Sequence, residues 1–175
     1  HATLRCNTIS SNGSYGIYLY SNNDYATFAD NVISGHTSRG IYLRGYSADD
    51  RARVTGNTII NNGVGLYFTN GTGHIIEGNT VADNTGDGLY LSSGNGYQLD
   101  NNLIVRNGGR GLAWATGNGV LRHNTLADNA GGTGVQVSSA SLILTNTVIS
   151  GHTYGILTTN TGASVQADHT LWFGN

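Results

Sequence analysis

The sequence predicts an all-β solenoid, in which short strands wind into coils that stack along one axis. The first supporting observation is a repeat of 22 to 26 residues, whose clearest copies read NTISSNGSYGIYL from Asn7, NTIINNGVGLYF from Asn57 and NTVADNTGDGLYL from Asn79. The second is the pattern within each copy, where Gly is followed by apolar residues at alternate positions, as in a strand with one buried face. A steady period of this length is typical of stacked repeats rather than of one central core.

An Asn opens each copy of the repeat, and a second polar residue follows later in the copy. The opening residues are Asn7, Asn31, Asn57, Asn79, Asn102, Asn124 and Asn146, with His169 in the eighth place. The second residues are Asn12, His36, Asn62, Asn84, Asn107, Asn129 and His152. Because stacked amides can hydrogen-bond to the backbone and to the next amide, we predict that both sets form inward ladders at the corners of the coil.

Apolar residues recur at fixed distances from these polar residues. Three residues before the opening residue stand Leu4, Phe28, Val54, Ile76, Leu99, Leu121 and Ile143, with Gln166 as the exception. Two residues after it stand Ile9, Ile33, Ile59, Val81, Ile104, Leu126, Val148 and Leu171. The Gly of each copy is followed by Ile17, Ile41, Leu66, Leu89, Leu112, Val135 and Ile156. We predict that all three sets point inward, which makes three strands per coil and about seven to eight coils.

The composition argues against several classes of protein. Only 10% of the residues are charged, the net charge is −2 and the eight basic residues are all Arg, so the chain has no basic stripe for nucleic acid. No apolar run is long enough to span a membrane. Cys6 is the only cysteine, which excludes a disulfide within the chain. Since the repeat starts and stops in mid-coil, we expect residues 1–175 to be a single solenoid segment of a longer chain with flanking domains.

The repeat, written around Asn-x-Ile, Asn and Gly-Ile, resembles that of the right-handed parallel β-helix proteins. These proteins include carbohydrate-binding, sugar-hydrolase and pectate-lyase-like domains, and the resemblance covers essentially the whole chain. It implies a right-handed parallel β-helix, a secreted or cell-surface location, and polysaccharide or a surface glycan as partner. Because the same solenoid carries lyases, epimerases, hydrolases and surface proteins of no known activity, the resemblance indicates a fold rather than one activity.

One outward position is aromatic in four consecutive coils. It holds Tyr18, Tyr42, Tyr67 and Tyr90, and Arg44 lies two residues beyond the second of them. A row of exposed aromatic side chains could stack on successive sugar rings of a polysaccharide, with Arg44 beside it. The alternative is that the tyrosines stabilise one another as neighbours on a sheet. We predict a carbohydrate-binding surface at these five residues.

A second outward position is charged in three consecutive coils, where it holds Glu77, Asp100 and Arg122. Adjacent carboxylates at strand spacing could recruit Ca²⁺, as metal-dependent pectate lyases do on a β-helix face, or act as acid and base. The alternative is an ordinary surface ion pair between Asp100 and Arg122. These three residues are therefore candidates for catalysis, and the two carboxylates are candidates for binding a metal ion.

The longest insertion, GYSADDRAR, places Asp49, Asp50 and Arg51 together after the second copy. Paired acids beside Arg are residue types that a polysaccharide hydrolase or lyase needs, and the Asp pair resembles a polygalacturonase motif. The other parts of that motif are missing, so a solvated charged loop is the alternative.

Taken together, these patterns favour an extracellular or cell-surface segment with an architectural or adhesive role and polysaccharide contact along the tyrosines. A polysaccharide lyase or related carbohydrate-active enzyme that uses the acidic positions is the first alternative, and a rigid spacer or fibre component is the second. The sequence leaves enzymatic activity open, favours its absence, and assigns no cofactor apart from Ca²⁺ at the acidic pair.

Overall fold

A computed structural model describes residues 2–20, 25–45 and 51–175. Within these ranges the regular structure consists of 21 strands, numbered β1 to β21 in chain order, without any helix. The strands pair in parallel with their counterparts one repeat away, as β1 does with β4 and β2 with β5. The predicted all-β parallel solenoid is confirmed, with about seven turns.

Each turn has three sides, which we name faces A, B and C. Face A contains β1 (Thr3–Arg5), β4 (Thr27–Ala29), β7 (Arg53–Thr55), β10 (Ile75–Glu77), β13 (Tyr97–Asp100) and β20 (Ser164–Asp168). Face B contains β2 (Thr8–Ser10), β5 (Val32–Ser34), β8 (Thr58–Ile60), β11 (Thr80–Ala82), β14 (Leu103–Val105), β16 (Thr125–Ala127), β18 (Val148–Ser150) and β21 (Leu171–Phe173). Face C contains β3 (Tyr15–Tyr20), β6 (Arg39–Arg44), β9 (Val64–Thr69), β12 (Leu89–Leu91) and β19 (Tyr154–Thr158).

Two long strands run from face C into face A. They are β15 (Leu112–Arg122) and β17 (Thr133–Thr145), and they join the two faces into one 13-stranded sheet. Face B remains a separate 8-stranded sheet. The corner between faces C and A is therefore continuous strand in these two turns, while the other two corners share one backbone pattern.

The interior of the solenoid is filled by stacks of apolar side chains. On face A the fully buried stack includes Phe28, Val54, Ile76, Leu99 and Leu121. On face B it includes Ile33, Ile59, Val81, Ile104 and Leu126. On face C it consists of Ile41, Leu66, Leu89, Leu112 and Val135. Each turn thus removes its apolar face from water only by packing on the turns before and after it.

Both regular corners use the same backbone device. A residue with φ between 47° and 73° precedes every ladder residue. At the corner between faces A and B these residues are Cys6, Asp30, Gly56, Gly78, Asn101, His123, Asn146 and His169. At the corner between faces B and C they are Ser11, Gly35, Asn61, Asp83, Arg106, Asp128, Gly151 and Gly174. A single left-handed residue turns the chain sharply, and the side chain that follows it enters the interior.

The predicted ladders of amide side chains are confirmed. Asn57 shows the pattern, since its backbone N–H and its side-chain Nδ2 both donate to Oδ1 of Asn79, each at 2.9 Å. The same Nδ2 also donates to the carbonyl oxygen of Phe28 at 2.9 Å. Equivalent bonds join each amide to the next one in the ladder, from Asn7 through to Asn124 at the first corner and from Asn62 through to Asn129 at the second. From Asn31 to Asn124 and from Asn62 to Asn129 the amides are buried but hydrogen-bonded on both atoms, so burying them carries little penalty.

The Gly near the start of each face C strand is required by close packing between turns. A Cβ atom at Gly65 would lie 2.4 Å from Cγ1 of Val81 and 2.6 Å from the carbonyl oxygen of Gly88. Neither neighbour can move away, because one is a buried core residue and the other is backbone of the adjacent turn. The recurring Gly therefore permits neighbouring turns to approach at strand spacing.

The last two turns differ by one residue from the predicted alignment. Strand pairing joins Thr125 to Val148, so Thr147 lies in register with the ladder residue Asn124. Asn146 instead has a φ of 50° and occupies the left-handed corner position. Asn is among the residues that tolerate this backbone, so an Asn-Thr pair fits the corner in either alignment and the sequence pattern did not distinguish them.

This shift also corrects the inward positions of those turns. The residues that were predicted to point inward but do not are Ile143, Val148 and Leu171, and the ladder position assigned to His169 belongs to Thr170. The residues that take the inward register are Leu144, Ile149, Ala167 and Trp172. Leu144 and Ile149 are fully buried, whereas Ile143 is 47% exposed. The observed register is favoured because it buries apolar side chains such as Leu144 and Ile149 more completely.

We expect Asn79→Ala to destabilise the solenoid strongly. The substitution leaves the buried backbone N–H of Asn57 without its acceptor and takes one acceptor from its side-chain amide, and unsatisfied buried polar groups cost about 1–3 kcal/mol each. Thermal unfolding followed by circular dichroism at 218 nm would show a much lower midpoint than in the wild type. The matched control is Asn160→Ala, which removes an exposed amide that donates only to Oγ of Ser139. Equal midpoints for the two variants would contradict this account of the ladder.

A buried His continues the second ladder and makes it sensitive to acid. Nε2 of His152 lies 3.1 Å from Nδ2 of Asn129, so the neutral imidazole accepts the hydrogen bond that an amide oxygen accepts elsewhere. Burial lowers the pKa of His152 below its usual value, although hydrogen bonding to Asn175 and the charge of Asp128 oppose this shift. The unfolded chain therefore takes up a proton at higher pH than the folded chain does, and stability falls as the pH falls through this range.

We expect His152→Asn to reduce this acid sensitivity, because an amide keeps the ladder acceptor and does not titrate. The measurement is the difference between unfolding midpoints at pH 7.5 and pH 5.0 in the wild type and in the variant. The unfolding midpoint should fall further between pH 7.5 and pH 5.0 in the wild type than in the variant. Identical losses would show that protonation of His152 is not the cause.

Candidate functional site

The three outer faces differ in the chemistry that they present. Face B has no charged side chain at its outward strand positions. These positions hold Thr8, Ser10, Val32, Ser34, Thr58, Ile60, Thr80, Ala82, Leu103, Val105, Thr125, Ala127, Val148, Ser150, Leu171 and Phe173. The aromatic residues that the sequence singled out, and those of the charged ones that the structure describes, lie on faces A and C, so a candidate site for a polar ligand is found there.

The four tyrosines form one continuous row on face C. Strand pairing places Tyr18 beside Tyr42, Tyr42 beside Tyr67, and Tyr67 beside Tyr90. The ring centroids of these pairs are 4.9, 5.1 and 4.8 Å apart. The row lies along the axis of the solenoid at the spacing of its strands.

The ring planes show how much aromatic surface is open to a ligand. The planes of Tyr67 and Tyr90 differ by 4° and those of Tyr18 and Tyr42 by 20°, so the members of each pair face one another. Between Tyr42 and Tyr67 the angle is 90°. The tyrosines therefore contact each other, and the row presents ring edges and hydroxyl groups along much of its length. Burial raises the pKa of the Tyr67 hydroxyl, helped by Tyr90 and opposed by Arg39, so this group stays a neutral donor and acceptor.

An Arg that the sequence analysis did not select lies within this row. Arg39 begins β6, and its guanidinium carbon is 4.0 Å from the ring centroid of Tyr67 and 4.5 Å from that of Tyr42. Its Nη1 donates to the hydroxyl of Tyr15 at 3.4 Å. The side chain is half-buried, and Nε has no hydrogen-bond partner among the described residues.

Two further charged features border the row of tyrosines. Arg44, which the sequence did select, lies with its guanidinium carbon 5.2 Å from the ring centroid of Tyr20. Asp87 and Arg110 form a two-bonded ion pair with N to O distances of 3.0 and 2.7 Å. Only 12% of the Asp87 side chain is exposed, so this pair is better shielded than the other Arg–carboxylate pairs of the described chain. The charges on face C therefore include one neutralised pair and two Arg side chains held against aromatic rings.

The position just before the Gly of each copy could have revealed Arg39 and this ion pair. It holds Tyr15, Arg39, Val64, Asp87 and Arg110 in successive copies. Because it lies three residues before the row of tyrosines, it occupies the start of the same face, and stacking brings its members together. The repeat alignment contained this signal, but only the three-dimensional contacts show which rings Arg39 meets.

The residues Glu77, Asp100 and Arg122 form a column on face A, and each of the two carboxylates lies near an Arg. Glu77 pairs with Asp100 and Asp100 with Arg122 in adjacent strands. A charged nitrogen of Arg53 lies 3.8 Å from Glu77, and one of Arg122 lies 3.7 Å from Asp100. Each carboxylate thus has an Arg on the side away from the other carboxylate. Oδ1 of Asp100 is buried and has no hydrogen-bond donor among the described residues.

A groove of about 500 Å³ adjoins the Arg122 end of this column. Its walls carry amide side chains from Gln98 and Asn118, apolar side chains from Val120 and Ile143, and Arg122 at its edge. Mixed amide and apolar walls suit a polar organic ligand such as a sugar. The repeat pattern does not reveal this groove, because small residues in neighbouring turns line it.

The charged insertion falls partly outside the described residues. Asp49 and Asp50 are not among them, so their predicted role stays a prediction. Arg51 is described and lines a smaller pocket on face A together with Tyr25 and Arg53. Arg51 therefore lies on the same face as Glu77 and not beside the row of tyrosines on face C.

Two general features are not found in the described ranges. No group of three or more His, Cys, Asp or Glu side chains is arranged to hold a metal ion there. No helix within those ranges is long and apolar enough to cross a membrane. The Glu77 and Asp100 pair would therefore have to complete a Ca²⁺ shell from backbone, water or ligand oxygens.

Comparison with known proteins identifies the family. Residues 1–141 match the family model described as the right-handed beta helix region. No curated protein matches the chain. Among solved structures, the A-module of Azotobacter vinelandii mannuronan C-5 epimerase AlgE4 is similar, with a TM-score of 0.77, 18% identity, and coverage of 98% of this chain and 56% of that one.

Two further solved structures are similar over nearly the same length. The A-module of Azotobacter vinelandii mannuronan C-5 epimerase AlgE6 has a TM-score of 0.79, 16% identity, and coverage of 99% of this chain and 52% of that one. The periplasmic alginate epimerase AlgG has a TM-score of 0.77, 14% identity, and coverage of 91% and 47%. The chain spans about half the length of these proteins, and at these identities the likeness shows the fold alone.

Proposed function

The chain belongs to the right-handed β-helix family, and we propose that it is an extracellular segment that binds an extended polysaccharide along face C. Its role in this proposal is architectural or adhesive rather than catalytic. The similar solved structures are epimerases of the polysaccharides mannuronan and alginate, which supports a ligand of this class.

The observation that carries the proposal is the row formed by Tyr18, Tyr42, Tyr67 and Tyr90. An extended glycan lying along the solenoid axis would meet a phenol every 4.8 to 5.1 Å. Tyr hydroxyls both donate and accept hydrogen bonds, so they match sugar hydroxyls, while ring edges contact the apolar C–H surface of a sugar. Tyr18 is 43% exposed, which leaves open aromatic surface at the start of the row.

We expect the double substitution Tyr42→Ala with Tyr67→Ala to weaken polysaccharide binding about tenfold or more, since each aromatic contact is worth about 0.5–1.5 kcal/mol. The measurement is retention on a glycan array, followed by titration with the best-retained polysaccharide. Tyr154→Ala is the matched control, because Tyr154 is 53% exposed on face C but outside the row. Circular dichroism of each variant checks that the fold is kept. Unchanged retention by a folded double variant would overturn the proposal and favour a rigid spacer.

A second candidate function is a polysaccharide lyase or epimerase activity on face A. The observation that favours it is the buried Oδ1 of Asp100, which lacks a hydrogen-bond donor and lies beside Arg122 at the groove. A shielded carboxylate beside a guanidinium is a pair that can exchange a proton with a uronate. Glu77, Asp100 and Arg122 keep the roles that the sequence suggested only in this second function.

The second function predicts turnover of polygalacturonate, alginate or chondroitin. Lyase products would appear as ultraviolet absorbance of the unsaturated chain ends. Epimerisation would appear as a change in the proton NMR spectrum of the uronates. Asp100→Asn should abolish either signal, whereas Asp128→Asn, at an exposed corner, should not. Repeating the assay with a chelator tests the Ca²⁺ role of Glu77 and Asp100. Absence of product from all three substrates would eliminate this function.

A further inference from the structure

Arg39 is held in an unusual position for a charged side chain. Strand pairing places it between Tyr15 of β3 and Val64 of β9, at the start of face C. Its guanidinium carbon lies 5.7, 4.5 and 4.0 Å from the ring centroids of Tyr15, Tyr42 and Tyr67. Rings at these distances hold the planar cation in one orientation by cation–π attraction.

The charge of Arg39 has no carboxylate partner among the described residues. In the same part of the chain, the Arg residues that form ion pairs are Arg53, Arg106, Arg110 and Arg122. Among the described residues the Arg39 side chain bonds only to tyrosine hydroxyls, with Nη1 at a long 3.4 Å from that of Tyr15 and with a further interaction with that of Tyr67, and Nε has no acceptor there. Aromatic rings orient the cation but cannot accept hydrogen bonds from its planar donors in the way that an oxyanion does.

We propose that Arg39 recognises an acidic group on the polysaccharide of face C, a carboxylate or a sulfate ester. A guanidinium offers two parallel donors that match the paired oxygens of either group. Its half-buried position limits screening by water and salt, which strengthens the interaction. This inference rests on the proposed function and adds the class of ligand, namely acidic polysaccharides.

The test uses polysaccharides that differ only in the acidic group. Polygalacturonate is compared with highly methyl-esterified pectin, whose carboxylates are masked, and dextran sulfate is compared with dextran. The wild type should bind the acidic member of at least one pair roughly tenfold or more tightly, as expected for hydrogen bonds to charged groups. The pair that shows the preference identifies carboxylate or sulfate as the group recognised.

Arg39→Gln should remove this preference while binding of the uncharged member stays at the wild-type level. Arg106→Gln is the matched control, because it changes the net charge equally at the exposed corner between faces B and C, outside the row of tyrosines. Arg39→Lys is the second variant, which keeps the charge near the rings but loses the paired donors, so it should lose most of the preference even if Arg39→Gln folds poorly.

Three results would overturn the inference. The first is an acidic preference that survives in folded Arg39→Gln or Arg39→Lys. The second is that an Arg39 variant binds both members of a pair equally less well and also has a lower unfolding midpoint, which means that Arg39 only supports the tyrosines. The third is an equal loss in Arg106→Gln, which means attraction by net charge alone.

The Tyr variants separate this inference from the proposed function. If Tyr42→Ala with Tyr67→Ala loses binding to the uncharged polysaccharides while Arg39→Gln keeps the acidic preference, only the role of Arg39 fails. If the Tyr variant binds every polysaccharide as the wild type does, or if the wild type binds none, the proposed function fails and this inference fails with it.

Discussion

The structure depends on one requirement, which is that polar groups buried at the corners must be hydrogen-bonded. A tight corner brings a side chain into the interior immediately after a left-handed residue, and an apolar side chain there would leave nearby backbone groups unpaired. Asn satisfies the requirement because it has one acceptor and two donors in a rigid plane. Asn57 bonds forward to Asn79 and backward to the carbonyl of Phe28. Each turn thereby completes the hydrogen bonding of its neighbour.

This requirement also determines the outer surface. Because amides must meet amides, successive turns stack with no offset, and every outward position becomes a row along the axis. Tyr18, Tyr42, Tyr67 and Tyr90 form a row for this reason, and Glu77, Asp100 and Arg122 form another. A repeat that varies only at outward positions can thus change its binding surface without disturbing its core.

Stacking reduces the surface that such a row offers to a ligand, because neighbouring side chains cover part of one another. The tyrosines use part of their ring faces to contact each other, and Arg39 covers another part between Tyr42 and Tyr67. What remains for a ligand is edges, hydroxyls and one oriented guanidinium, a surface better suited to a hydroxyl-rich and acidic polymer than to an apolar one. On face A the same effect gives Glu77 and Asp100 separate Arg partners.

The fold, the two ladders and the rows could be predicted from the sequence, because these follow from residue identity repeated at a fixed period. It failed where identity is ambiguous, as at Asn146 and Thr147, since Asn suits both the ladder and the left-handed corner. The orientation of the rings, the position of Arg39 among them and the depth of the groove near Arg122 became visible only in the three-dimensional structure. These depend on side-chain torsions and on neighbours one turn away, and a period in the sequence specifies which residues are adjacent but not how their side chains share the space between them.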